Sequence, residues 1–255
     1  PIGVRDAEAA QADVDNLQAA VAGTEAAETF MSAASPGVVS LFFRNDHYKD
    51  HETYLHAIAE AMRHEYETVA KAGVVLQIDC PDLGMGRHIQ YGDLSLEEFR
   101  KRARQHVEAL NHAVANIAPE LLRMHLCWGN YEGPHHCDVP LADVIDIVFL
   151  AKPPAISLEA ANPRHAHEWA VFERVKLPAG ISWEMLGTLS PDEIKKRNAW
   201  PAGFLPLPHP HHEAGGMIFP KPLIDETLKQ TARDLTRFDL DFDLPDHLLP
   251  ELPAA

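Results

Sequence analysis

Short apolar segments that alternate with amphipathic runs are the feature that most constrains how this 255-residue chain can fold. Residues 74–79 and 121–127 are short and mostly apolar, which is typical of strands buried in a sheet. The segment between them contains the capping box Ser95-x-x-Glu98, a signature of a helix start. This strand–helix order repeats about four times with connections long enough for crossovers, so the sequence predicts an α/β fold on a parallel sheet, either a barrel or a doubly wound sheet.

Apolar residues at helical spacing place the remaining elements around those strands. Gly23 and Gly73 are expected to end two of the helices, and Asp50 to cap one of them. The predicted helices cover residues 7–22, 50–71, 95–117, 141–150 and 166–172, the predicted strands cover residues 25–33, 74–79, 121–127 and 155–159, and residues 38–43 fit either type.

The character of the sequence changes after about residue 178. Residues 1–180 are expected to form a barrel-type catalytic region and residues 181–255 an irregular C-terminal extension, because the strand–helix rhythm ends there and Pro, Gly and His become frequent. Such an extension predicts an arm that packs on a partner, and a second copy of the chain in a homo-oligomer is one such partner.

The charge and the cysteine content narrow the classes of partner and the compartment. A formal net charge of -16 argues against nucleic acid, which selects basic patches, and against anionic membrane surfaces. No stretch approaches the ~20 apolar residues of a membrane span, and the amino terminus lacks the apolar core of a signal peptide. Cys80, Cys127 and Cys137 are an odd number without the spacing of a disulfide framework, so we expect reduced thiols in a cytoplasmic protein. Because the sequence does not begin with Met, we expect it to be part of a longer or processed chain.

Three residues at the ends of two consecutive predicted strands form a candidate zinc site. His125 and Cys127 lie two apart on one strand and therefore project to the same face. The strand–helix–strand return brings Glu159, at the end of the next strand, to the same edge of a parallel sheet. Imidazole, thiolate and carboxylate are ligands of Zn²⁺ in proteins, although a buried Cys or a His at a strand end is more often structural. Glu159 favours the metal interpretation because a carboxylate after an apolar run is costly to bury alone.

Two other strand ends offer candidate contacts to a substrate. Residues 34–37 form a small-residue turn that would let backbone approach a ligand closely, with Ser35 as its candidate substrate-binding side chain, and an ordinary tight turn is an equally good interpretation. Polar residues begin at Asp79, at the carboxyl end of the next predicted strand, where α/β folds place their ligand chemistry. No residue is assigned as a catalytic acid or base.

Four stretches together resemble the cobalamin-independent methionine synthase family, in particular its shorter catalytic-barrel members. They are residues 33–37, 77–81, 125–133 and 157–162, and the resemblance spans residues 1–176. It implies a TIM-type (β/α) barrel of the superfamily that also contains uroporphyrinogen decarboxylase, with zinc held by His125, Cys127 and Glu159. It also implies that Asp79 contacts the amino group of a homocysteine-like thiol. The implied reaction is transfer of a methyl group from a folate-type donor, or of another alkyl group, to that thiol, as in methionine biosynthesis.

The sequence also departs from the family. Family members carry a further zinc-binding Cys on the last barrel strand, whereas no cysteine follows Cys137 here, and only about half of the strand–helix units of a complete barrel are recognisable. A half barrel has two open strand edges, which are unfavourable when uncovered. Three alternatives follow: another chain completes the fold, the extension covers the edges, or the protein is a diverged, non-catalytic scaffold. Three protein ligands plus substrate or water suffice for a catalytic zinc, and the candidates for a fourth protein ligand are Cys80, His135, His136, Cys137, His209, His211 and His212.

A third interpretation is a metal-free barrel lyase of the uroporphyrinogen decarboxylase type. Such an enzyme handles polycarboxylate substrates and needs a basic pocket. Arg87, His88 and Arg164 are the cations near predicted strand ends that could form one.

Overall fold

A four-stranded parallel sheet organises the protein. The computed structural model describes residues 1–129, 135–158, 165–179, 181, 204–206 and 218–220. The strands, in spatial and sequence order alike, are β1 (Phe30–Ala34), β2 (Val75–Asp79), β3 (Leu122–Leu126) and β4 (Ala155–Leu158). The prediction of an α/β fold on a parallel sheet is confirmed, and the sheet is compatible with a partial barrel. A doubly wound sheet needs a reversal of strand order, and the four described strands of this sheet have none.

Helices fill the connections between these strands. They are α1 (Ala9–Val21), α2 (Pro36–Phe42), α3 (His51–Lys71), α4 (Asp82–Ile89), α5 (Leu96–Ala113) and the single turn α6 (Ile145–Val148), with 3-10 helices at Pro119–Leu121, Leu141–Asp143 and Ala166–Glu173.

Side-chain caps fix where the long helices begin. The Asp50 carboxylate accepts a hydrogen bond from the Thr53 amide at 2.7 Å, and both hydrogen bonds of the Ser95–Glu98 capping box are present. These two predicted helix starts are therefore confirmed. The predicted helix over 95–117 ends earlier, at Ala113, because the chain then turns through short-range backbone hydrogen bonds before Pro119.

The helix α4 was not predicted from the sequence. Its two internal glycines give it low helix propensity. At Gly84 the structure explains the glycine, because a Cβ there would lie 2.9 Å from the backbone oxygen of Cys127. Close packing of α4 against the chain after β3 therefore overrides local propensity.

Alternate residues of each strand face two chemically different surfaces. One face carries fully buried side chains such as Leu76, Ile78 and Met124, which belong to the same apolar core as the helices. Sequential parallel strands joined by right-handed crossovers place every connecting helix on this side. The opposite side, called here the open face, carries Phe30, Ser32, Gln77 and Arg123, all exposed or half-buried. In a barrel, the face of the sheet opposite the helices is the interior.

Part of the predicted irregular extension has regular structure. Phe204–Pro206 (β5) and Ile218–Pro220 (β6) pair as antiparallel strands, which the density of Pro and Gly in this stretch did not suggest. The rest of the predicted extension, residues 182–203, 207–217 and 221–255, lies outside the described residues. Within the described part of the chain, no helix is both long enough and apolar enough to cross a lipid bilayer.

Candidate metal site at the carboxyl edge of the sheet

The strand register brings the predicted site residues of three strands to one edge. Ala34 of β1 pairs with Asp79 of β2, and Asp79 pairs with His125 of β3. The ladder continues one step further, because the Ser35 amide donates to the Asp79 carbonyl at 3.0 Å and the Cys80 amide donates to the His125 carbonyl at 2.8 Å. Asp79 and His125 are therefore immediate neighbours, as expected for carboxyl ends of parallel strands.

His125 and Cys127 are buried beside this edge. His125 is 5% exposed, and strand alternation places it on the side of Arg123, the open face; Cys127, which directly follows β3, is 4% exposed. Glu159, the third predicted ligand, lies outside the described residues. The residue before it, Leu158, pairs with Leu126, the residue before Cys127. The register thus aligns the ends of the two strands that carry the predicted ligands.

A chain of polar contacts crosses the open face below this edge. The Gln77 amide nitrogen lies 3.1 Å from Asp79 Oδ1 and 3.4 Å from the Ser32 hydroxyl, and Arg123 Nε donates to Gln77 Oε1 at 2.9 Å. The Arg123 guanidinium also stacks on the Phe30 ring at 4.3 Å. Asp79 Oδ2 has no hydrogen bond within the described residues, so this carboxylate retains acceptor capacity for a ligand's donor.

Ser35 is occupied by structural contacts. Its hydroxyl accepts from the Val38 amide at 3.0 Å, as the N-cap of α2, and donates to Asp82 Oδ1 at 2.8 Å. Ser35 is only 2% exposed. Its expected contact with substrate stays a prediction, and the role that the structure assigns to it is helix capping.

A buried polar network behind Ser35 was missed in the sequence. Asp82 Oδ2 lies 2.8 Å from His106 Nδ1, and His106 Nε2 lies 3.2 Å from His51 Nε2 and 3.4 Å from the Tyr91 hydroxyl. Burial, with Arg102 and His106 nearby, lowers the pKa of His51 to about 3, and burial raises the pKa of Tyr91 to about 12. These residues come from three helices and a loop, so no local pattern could reveal them. Their hydrogen bonds make them a buried support that joins the helices of this layer.

Cys80, one candidate for a fourth ligand, lies in the apolar core. It is 1% exposed, and burial, together with Asp82, raises the pKa of its thiol well above the ordinary value. This environment disfavours the thiolate that metal binding requires. All three cysteines lie in the described part of the chain, and no disulfide joins them.

Three groups of side chains are close enough to hold a metal ion, counting the described residues alone. They are His56–Glu60–His112, His88–His136–Cys137 and His135–Asp138–His165, and in each group the possible ligand atoms lie within 4.8 Å of one another. None of the three contains His125 or Cys127. The first group is a poor cation site because Arg63 Nη2 lies 2.8 Å from His112 Nε2.

The other two groups share one turn that follows β3. His135, His136, Cys137 and Asp138 are consecutive, and the Asp138 amide bonds the His135 carbonyl at 3.2 Å. The outer two residues approach His165, whereas the inner two approach His88 near the end of α4. From the sequence, His135, His136 and Cys137 are only separate candidates for a fourth ligand. Their convergence with His88 and His165 depends on the tertiary fold, so the sequence could not reveal it.

The structure describes two of the three cations that could form a polycarboxylate pocket. Arg87 and His88 lie in the last turn of α4, and Arg164 lies outside the described part of the chain.

The sequence was also compared with known proteins. Neither the models of protein families nor the curated proteins gave a match.

Proposed function

We propose that the protein is a zinc-dependent S-alkyltransferase that moves a methyl or other alkyl group from a folate-type or related donor to a thiol such as homocysteine. His125, Cys127 and Glu159 are the proposed metal ligands. The observation that carries the proposal is the pairing of Asp79 with His125 at the carboxyl edge, where Cys127 is buried directly after the end of β3.

The residues present fit a zinc ion by their donor chemistry. One imidazole and one thiol, two residues apart at the end of a buried strand, are nitrogen and sulfur ligands that select zinc over calcium or magnesium. Bound zinc is a Lewis acid that lowers the pKa of a coordinated thiol and so makes it nucleophilic at neutral pH.

One side chain of the open face would contact the substrate, and two others would hold it in position. Asp79 would accept hydrogen bonds from the amino group of an amino-thiol through Oδ2, while Gln77 holds Oδ1 in place. Arg123 in turn fixes Gln77. A carboxylate fixed in this way would hold the amino-thiol in one orientation. This would raise the reaction rate, because the entropic cost of aligning the two reactants is lower.

Removal of the thiolate ligand tests this function. Cys127→Ser should lose one equivalent of zinc in elemental analysis, and its rate of homocysteine alkylation should fall by roughly 100-fold or more. Cys137→Ser is the matched control, because it removes a thiol outside the proposed ligand set and should keep both properties. Equal zinc content and equal activity in Cys127→Ser and the unsubstituted protein would refute the proposal.

A second candidate function is a scaffold completed by a partner. The observation that favours it is the open face itself, on which Phe30 is 47% exposed while the described helices pack on the opposite face of the sheet. On this view another chain covers the face and the edges β1 and β4, and zinc is not required. A stable monomer that alkylates homocysteine would exclude this second function.

A further inference from the structure

The turn at residues 135–138 holds a buried carboxylate between two imidazoles. Asp138 Oδ2 lies 2.7 Å from His135 Nδ1 and 3.0 Å from His165 Nε2. The side chains of His135, Asp138 and His165 are 6%, 7% and 8% exposed. A carboxylate this deeply buried is costly unless opposite charge or hydrogen bonds compensate it.

The compensation within the protein is incomplete. Asp138 Oδ1 is buried and has no hydrogen-bond partner among the described residues, although the two oxygens of an ionised carboxylate can together accept about four hydrogen bonds. Most buried polar atoms in folded proteins are satisfied, so a carboxylate oxygen without a partner among the described residues, beside two imidazoles, is a favourable position for a cation.

We propose that His135, Asp138 and His165 bind a divalent transition-metal ion, at a site separate from His125 and Cys127. Two imidazoles and one carboxylate are a ligand set for Zn²⁺ or Co²⁺ with one position left for water. Ligand atoms in a tetrahedral site lie roughly 3.4 Å apart, so the present contacts need to open by less than about 1 Å to admit the ion. All three ligand atoms already lie within 4.8 Å of one another.

A carboxylate lies near the second ring nitrogen of His165, at a distance beyond a direct hydrogen bond. Its Nδ1 faces Glu168 Oε1 at 3.9 Å, and Glu168 Oε2 is fixed by the Leu141 amide at 3.1 Å. A carboxylate on the second ring nitrogen is the usual orienting partner of a histidine ligand. The Trp128 ring stacks on the imidazole at 4.1 Å, and its Nε1 donates to the Val139 carbonyl at 2.7 Å.

The other two groups are weaker candidates by two criteria, burial of the ligands and a carboxylate with unused hydrogen-bonding capacity. His56–Glu60–His112 lies largely at the surface with Arg63 against it, and His136 of the third group is exposed. Neither contains a carboxylate that is buried and short of hydrogen bonds.

The proposed site would join the chain after β3 to the chain after β4. His135 and Asp138 belong to the turn between β3 and the 3-10 helix Leu141–Asp143, whereas His165 precedes the 3-10 helix Ala166–Glu173. Trp128, which packs on His165, directly follows Cys127. A bound ion would therefore tie these two loops together beside the edge that carries His125 and Cys127.

The test uses Co²⁺ and the full chain in a Cys127→Ser background, which removes a contribution from the first proposed site. Cys127→Ser should bind one equivalent of Co²⁺, and addition of Asp138→Asn or His165→Gln should abolish this binding. Asp138→Asn conserves shape, and circular dichroism checks that each variant is folded. Cys137→Ser in the same background is the matched control and should retain the equivalent.

Two results would overturn the inference. The first is the absence of a Co²⁺ equivalent in folded Cys127→Ser protein. The second is binding of the Co²⁺ equivalent by the Asp138→Asn and His165→Gln variants, or its loss in the Cys137→Ser control. Failure of the proposed transferase function would give a different result. The unsubstituted protein and Cys127→Ser would then each bind one equivalent of Co²⁺, and neither would show the absorption band that a thiolate ligand of cobalt produces.

Discussion

Gly37 lies where the backbone of α2 passes closest to the buried pair of Asp82 and His106. A Cβ at this position would overlap Asp82 Oδ2 and lie 2.6 Å from His106 Nδ1. Both groups are held by further hydrogen bonds, so neither can move away cheaply. We expect Gly37→Ala to lower the free energy of unfolding by about 2 kcal/mol, as measured by urea denaturation. Gly86→Ala in α4 is the control, because its Cβ would make only ordinary contact with Phe99 at 3.4 Å. Equal stability of the two variants would contradict this account of Gly37.

The same network predicts a pH dependence at the residue scale. The pKa of His51 falls from 6.5 to about 3 on folding, chiefly through burial and then through Arg102 and His106. Between these two values the unfolded chain binds a proton that the folded protein does not, so stability is lost as pH falls below about 6.5. His51 is only half-buried, so the loss should stay well below the limit of ~1.4 kcal/mol per pH unit. Between pH 7 and pH 5, the unfolding free energy of His51→Gln should decrease less than that of the unsubstituted protein. Equal pH dependence of the unfolding free energy in the two proteins would contradict a role of His51 in this loss of stability.

At the scale of single elements, capping decides where α5 begins. The Ser95 hydroxyl accepts from the Glu98 amide at 3.3 Å, and the Glu98 carboxylate accepts from the Ser95 amide at 2.9 Å. Ser95→Ala should lower the free energy of unfolding by about 1 kcal/mol. Lys101→Ala, at an exposed position on the same helix, should change it by less than about 0.5 kcal/mol. Thermal or urea unfolding of the three proteins measures both effects, and a Ser95→Ala protein as stable as the parent would show that the cap contributes little.

The elements also show how far the sequence alone could predict the fold and the site. The sheet and the starts of α3 and α5 were predictable because apolar runs and capping residues are local signals. The neighbouring positions of Asp79 and His125 followed from the geometry of parallel strands. Helix α4 was not predictable, since Gly84 serves a contact with a distant segment. The cluster at His135, Asp138 and His165 was not predictable either, because its members meet only through a tertiary fold.

At the scale of the whole molecule, the open face of the sheet is a surface that another molecule could cover. Phe30 is exposed there beside Arg123, and β1 and β4 each pair with a single neighbour among the described strands. Large apolar side chains beside open strand edges favour association. We therefore expect the protein to self-associate, as the proline-rich extension also suggested.

Phe30→Glu tests this expectation without disturbing the core. The new carboxylate would lie beside the Arg123 guanidinium, so the fold should persist while an apolar contact between subunits is lost. Analytical ultracentrifugation should show a shift of Phe30→Glu toward monomer. Phe43→Glu, at a side chain that is even more exposed but lies away from the sheet, should leave association unchanged. If the unsubstituted chain is already a monomer at micromolar concentration, the open face is not an interface between copies of this chain, and it is left as the substrate-facing wall on which Asp79 and Gln77 lie.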